Sequence, residues 1–281
     1  MINKKYLKNL RCKELNNENE FIFDLISERI VDSLDIINIE FKKILIFGDA
    51  GSNINKYILK RYKDSSVTIY DFKRKNNRIL DSKFSIKVLD DLDLWSEIPK
   101  KYDLILSNLF LSFSNNLEMI FKKIIVSLIP NGLFLATLPN VNNFQLLRKA
   151  MIDTDLQLYG GAYNRFNKTS DLHRIIDYLK INNFKIPLVD IENVRLEYVK
   201  FNNLINDVKS MNLSYYHEDK KTKFEKKIYF QLLEKNYKKN LNKNFELITN
   251  FFIISGWKDH PSQQKPIKPG EAKHDLKDFI K

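Results

Sequence analysis

The run Lys43-Ile44-Leu45-Ile46-Phe47 is apolar at four successive positions and stops at Gly48. So short a segment, without polar alternation, reads as a strand buried on both faces, the condition of a parallel sheet covered by helices. A polar turn, Asp49 to Asn53, leads into a predicted helix over Asn55–Lys63. Val67–Asp71, Phe84–Leu89 and Tyr102–Ser107 then read as second, third and fourth strands. The second ends in an acid, and the third runs into Asp90-Asp91. Asn115 or Asn116 caps a helix whose stripe is Leu117, Ile120, Phe121, Ile124 and Leu128. At Pro130-Asn131-Gly132 the proline ends that helix and the glycine is expected to supply a positive φ. Leu133–Leu138 is a fifth strand. Strands alternating with helices at these intervals mean βαβ units and an α/β fold.

An amphipathic segment, Phe21–Ile37, precedes the first strand, with Ile22, Leu25, Ile26, Ile30 and Leu34 at helical spacing. Beyond Pro139 the pattern loosens. Thr169 or Ser170 is the expected cap of a helix carrying Leu172, Ile175, Ile176 and Leu179, which Asn182-Asn183 ends. Phe184–Val189 begins another strand. A lysine-rich helical stretch, about Asn202 to Asn240, comes before a long final strand, Phe245–Trp257. The expected organisation is therefore a helical segment over residues 1–40, a Rossmann-like core over 41–200, a helical insertion or cap over 201–244, and a last strand with an irregular tail over 245–281.

Five features are disfavoured by composition and pattern. The net charge is +12, but the lysines are dispersed, and the runs Lys73-Arg74-Lys75 and Lys220-Lys221-Thr222-Lys223 lack interleaved aromatics. A nucleic-acid platform would need those rings, so no nucleic-acid partner is expected. No stretch approaches the roughly 18 apolar residues of a membrane span. The N-terminal segment has no apolar core or small-residue cleavage site, so no signal peptide is expected. The one cysteine, Cys12, excludes an intrachain disulfide and suits a reducing compartment. With four dispersed histidines, no metal site is expected: His173 and Asp177 form a surface pair, and His217-Glu218-Asp219 a solvated loop.

In an open parallel sheet, ligands bind beyond the carboxyl ends of the strands. Gly48, Asp49 and Gly51 occupy the first such turn, where glycine admits a ligand and the following helix offers N–H groups to an anion. Asp71 is placed to accept from ribose hydroxyls, and Asp90 or Asp91 from an adenine amine. Asn108 and Asn140 fall on the rim, although either also suits an ordinary turn. Arg165 can meet an acidic substrate or simply lie at the surface.

Three segments resemble the successive motifs of class I S-adenosylmethionine-dependent methyltransferases: Ile44 to Ser52, Tyr102 to Ser107, and Leu128 to Phe134. Four more are similar to the BioC-like branch and the related complex I assembly factor. They are Phe21–Arg29, Gly160-Gly161, Leu204–Met211, and Gly256–Pro266 with Trp257, His260 and Gln263. The resemblance implies a mostly parallel sheet with an antiparallel last strand, and S-adenosyl-L-methionine as cofactor. It implies an acceptor that is a small molecule, an acyl-carrier-bound group or a protein such as a respiratory complex I subunit, where the chemistry is arginine hydroxylation. It also implies a bacterial cytoplasmic protein, held at the inner membrane only through a partner. The chain departs from the pattern at Ile46, where an acid is usual, at Ala50 and Ser52, where glycine is usual, and at Ser112-Phe113, where a His-Trp pair is usual. A catalytically degenerate binding module is the remaining alternative, and no catalytic residue stands out.

Overall fold

The structure, a computed structural model, describes residues 2–3, 21–48, 52–72, 82–167, 169–211, 213, 215–221, 225–238 and 244–263. Asp49 and Gly51 of the predicted turn therefore lie outside the described residues, as does the tail beyond Gln263.

Seven strands form one sheet in the order β3-β2-β1-β4-β5-β7-β6. They are β1 (Lys43–Phe47), β2 (Ser66–Asp71), β3 (Phe84–Val88), β4 (Tyr102–Asn108), β5 (Leu128–Pro139), β6 (Lys185–Tyr198) and β7 (Phe245–Trp257). β1 to β5 pair in parallel, while β7 runs antiparallel to both β5 and β6. The helices are α1 (Phe21–Asp35), α2 (Ser52–Arg61), α3 (Leu117–Ser127), α4 (Gln145–Tyr159), α5 (Leu172–Ile181), α6 (Phe201–Ser210) and α7 (Lys227–Lys238).

β1 is buried at Ile44 through Phe47, as a run without alternation requires. Its two faces feed different cores. Ile44 and Ile46 pack with Ile30 and Leu34 of α1 and Ile54 and Ile58 of α2. Leu45 and Phe47 join Trp95, Phe110 and Ile120 on the other face. A third apolar cluster unites Ile22 and Ile26 of α1, Leu147 of α4, Leu204 of α6 and Leu233 of α7 with Leu247 and Phe251 of β7. Among the described residues, no helix is long and apolar enough to cross a membrane.

Two local expectations need correction. The positive φ after α3 belongs to Asn131, at 61°, and not to Gly132. Gly132 is small for another reason, since a Cβ there would lie 2.9 Å from the Ile129 carbonyl oxygen. The cap of α5 is Asp171, whose carboxylate accepts from the Arg174 N–H, and neither Thr169 nor Ser170. The β6 segment continues well past Val189 because β7 pairs with it as far as Tyr198. The Asn116 cap of α3 is as expected, with its side chain accepting from the Met119 N–H.

The Trp257-to-Gln263 segment has a visible structural task. The Lys258 N–H donates to the Gly132 carbonyl (2.9 Å), and the Lys258 carbonyl accepts from the Asn131 N–H (3.1 Å). Gln263 Nε2 donates to both Asn131 Oδ1 (3.1 Å) and the Lys258 carbonyl (2.8 Å). The tail thus locks the turn that starts the buried half of β5.

Candidate functional site

The carboxyl ends of β1 to β5 lie side by side, and their backbone is unusual there. The Gly48 N–H donates to the Tyr70 carbonyl (2.7 Å), and the Leu89 N–H to the Asp71 carbonyl (2.8 Å), aligning the ends of β1, β2 and β3. Gly48, Leu109 and Phe144, which follow β1, β4 and β5, take left-handed φ values of 77°, 57° and 59°. Two of these are bulky residues that rarely adopt it, and such strain gathers at functional sites.

The predicted acids meet different fates. Asp71 is buried at the end of β2, with Oδ1 accepting from the Phe72 N–H (2.7 Å). Asp91 is buried too, and its Oδ1 accepts from the Asp93 N–H (3.1 Å), whereas Asp90 is exposed. Beside Asp71 stand aromatic rings: Phe72 stacks on Phe110 at 4.8 Å, and Phe113 meets both edge-on. A buried carboxylate at that strand end is the kind of acceptor a ribose diol needs, whereas the three rings are buried against one another and show no open face. At Gly48 the fit is tighter. A Cβ there would lie 2.3 Å from Phe110 Cδ2, so the ring covers the glycine on that side.

Asn108 and Asn140 do structural work. Asn108 is buried, accepts from the Thr137 hydroxyl (2.7 Å) and donates to the Phe23 carbonyl (3.2 Å), tying α1 to the strand ends. The side chain of Asn140 accepts from the Asn142 N–H (3.0 Å), a local turn. Arg165 is no surface arginine. It grips buried Asp155 through both oxygens and reaches Glu225 at 2.6 Å. His173 and Asp177 are both exposed, and among the described residues no group of His, Cys, Asp and Glu suits a metal.

Beyond β4 and β5 lies a cleft of about 200 Å³, lined by Ser112, Ser114, Asn115, Pro139, Thr169 and Arg174, among others. A smaller recess, of about 10 Å³, shares Ser112, Pro139 and Thr169 with it and is also lined by Asn143, Arg148 and Asn167. One wall of the larger cleft, formed by η1 (Phe110–Phe113) with Ser114 and Asn115, is held by Asp93. That carboxylate accepts from the Ser114 hydroxyl, from the Asn115 N–H (3.0 Å) and from Asn115 Nδ2 (3.1 Å). Burial pushes the Asp93 pKa up, but these hydrogen bonds outweigh it and hold the group below its ordinary 3.8. A folded pKa below the unfolded one contributes stability above 3.8 that is lost as pH falls through the folded value. Asp93→Asn is therefore expected to lower the melting temperature at pH 7, with the gap to wild type closing below about pH 3.8. A gap that stays constant in melts down to about pH 2.5 would show that the charged form is not what the loop holds.

The comparisons follow the same line. The YcgJ protein of Bacillus subtilis superposes with a TM-score of 0.54 at 10% identity, covering 83% of this chain and 98% of its own. Phosphoethanolamine N-methyltransferase 2 of Haemonchus contortus, solved with S-adenosylhomocysteine, gives 0.52 at 15% identity over 92% of this chain and 61% of its own. The fold is that of the class I methyltransferases. In sequence, this methyltransferase-fold chain is 27% identical to the mitochondrial arginine-hydroxylase NDUFAF5 of Dictyostelium discoideum, over 90% of its own length. It spans 63% of the length of that relative. It is 22% identical to malonyl-[acyl-carrier protein] O-methyltransferase 1 of Coxiella burnetii, over 82% of this chain and 78% of the relative. No protein-family model matches the chain.

Sequence reasoning missed α4, Phe110 and Arg148. The inner face of α4 carries Leu147, Ala150, Thr154 and Asp155, too polar a stripe for periodicity to register.

Proposed function

We propose that the chain binds S-adenosylmethionine at the ends of β1, β2 and β3 and transfers its methyl group to an acceptor in the cleft beyond β4 and β5. The observation that carries this reading is buried Asp71 at the end of β2, beside the Phe72–Phe110 wall, in a sheet of class I methyltransferase order. When bound, S-adenosylmethionine supplies an electrophilic methyl group on a sulfonium. The chain's own contribution is positioning and exclusion of water, since in-line displacement asks for little else. Asp71 would hold the ribose diol, and Asp91 would stand at the base edge. The acceptor is a small molecule, an acyl-carrier-bound group or a protein, with α6 and α7 as its cap.

The test is calorimetry of the purified chain with S-adenosylmethionine. Micromolar binding is expected, and Asp71→Ala is expected to weaken it about 10- to 100-fold, the worth of charge-assisted hydrogen bonds. Absence of heat at high protein concentration would sink this reading. The second reading is modification of a protein arginine, as in a complex I assembly factor, and the similarity to an arginine-hydroxylase over 90% of the chain favours it. Normal NADH-dehydrogenase assembly in a deletion strain would remove it.

A further inference from the structure

Arg148 is a half-buried cation with no counter-charge among the described residues, and it lines the inner recess of the cleft. Its place is fixed from two sides. Nε donates to the Asn143 carbonyl at 2.8 Å, and the guanidinium carbon lies 4.6 Å from the centre of the Phe166 ring. The backbone that delivers it is equally constrained. Phe144, in the left-handed region at φ 59°, caps α4, and Asn143 Oδ1 accepts from the Asn250 N–H at 3.0 Å, fastening the turn to β7.

What this arrangement leaves open is the outer fork of the guanidinium, Nη1 and Nη2. The contrast with Arg165, in the loop after α4, is informative: Arg165 uses its fork on Asp155 and Glu225. A cation removed from bulk water usually has a carboxylate beside it, because burial without one is costly. Burial alone acts on Arg148, drawing its pKa below the ordinary arginine value. The remaining walls of the recess include the neutral groups Asn143, Asn167 and Thr169, whereas the Ser112 hydroxyl already donates to the Leu109 carbonyl (2.6 Å). A planar fork among neutral donors is the arrangement that selects an oxyanion.

We propose that Arg148, with Thr169 in the wall of the same recess, is a binding subsite for the oxyanion of an acidic ligand, a carboxylate or a phosphate monoester. The recess has room for about one oxygen atom and shares Ser112, Pro139 and Thr169 with the cleft beyond β4 and β5, so the body of the acidic ligand, the acceptor, would lie in that cleft, and this step rests on the methyl-transfer reading. Arg148 is then a specificity residue: it orients an acidic acceptor and rejects a neutral one, whose binding would leave the fork unpaired.

The experiment follows the side-chain Nε–H resonance of Arg148 by NMR in the full chain, titrated at constant ionic strength with sodium succinate or sodium phosphate. A saturable shift is expected with at least one anion. Saturation by succinate alone identifies a carboxylate ligand, and saturation by phosphate alone a phosphate monoester. Thr169→Val, which keeps the cation, is expected to weaken binding about two- to tenfold, and Arg148→Gln, followed by calorimetry, more than about tenfold. Linear, non-saturating shifts with both anions would overturn the proposal, as would an Arg148→Gln affinity equal to wild type. The titration contains no S-adenosylmethionine, so its failure leaves the cofactor reading standing, and silence toward S-adenosylmethionine leaves the oxyanion subsite standing.

Discussion

Arg165→Gln is expected to destabilise the fold by about 3–5 kcal/mol, the range for removing one partner of a buried ion pair. The Asp155 side chain is 0% exposed and lies on the inner face of α4. Both its oxygens are engaged by Arg165, with Nε at 3.1 Å from Oδ2, and the Tyr163 N–H adds a third contact at 3.1 Å. The same guanidinium holds Glu225 and lies 4.7 Å from the Tyr229 ring centre, so it links α4, the loop after Gly161 and the start of α7. Burial works against the charge on Arg165, yet its two carboxylate partners win and raise its pKa. Lys221 cannot take over, because it reaches Glu225 and not Asp155. Urea unfolding at pH 7 is the measurement. Asp155→Asn combined with Arg165→Gln is expected to cost less than Arg165→Gln alone, since no uncompensated charge is left inside. A single-variant loss under about 1 kcal/mol would mean that water reaches Asp155 as soon as the arginine is gone.

That network also marks the limit of what could be read from the sequence. The sheet was legible because its strands are short, apolar and separated by helices of clear period. β7 has the expected bounds, Phe245–Trp257, and its antiparallel course agrees with the resemblance. The partners of Arg165 were not legible, because Asp155 lies on a helix whose polar inner face hides its period, and Glu225 comes from a distant part of the chain. The same is true of Phe110: a phenylalanine after a strand gives no sign that it will lie on a glycine three strands earlier. Local chemistry failed only in detail. Asp171 displaced Thr169 and Ser170 as the cap by position alone, and Asn131 displaced Gly132 because asparagine tolerates the left-handed region almost as well. Of the candidate site, the strand-end acids could be named in advance. The recess at Arg148 could not, since it needs α4, the Asn143 turn and Thr169 brought together.

Gly48→Ala carries the other large effect, expected to be about 2–5 kcal/mol from two costs that combine. A non-glycine residue at φ 77° is strained by roughly 1–2 kcal/mol, and a methyl group forced into a packed aromatic cluster adds about 1–3. The new Cβ would sit 2.3 Å from Phe110 Cδ2 and 2.8 Å from Cγ, well inside contact distance. Phe110 cannot yield easily, because it is 1% exposed and stacked against Phe72, with Phe113 edge-on at 5.4 Å. Phe110→Ala is itself expected to cost about 3–5 kcal/mol through the cavity it leaves. In that cavity the methyl group added by Gly48→Ala meets no ring. The double variant is therefore expected to be more stable than the sum of the single losses by about 1–3 kcal/mol, the overpacking part, while the strain at φ 77° persists. A double-mutant cycle by urea unfolding measures this directly. Additivity within about 0.5 kcal/mol would mean that ring and glycine do not meet in solution. The crevice at the end of β1 would then be open to a ligand on the side where Phe110 covers it here.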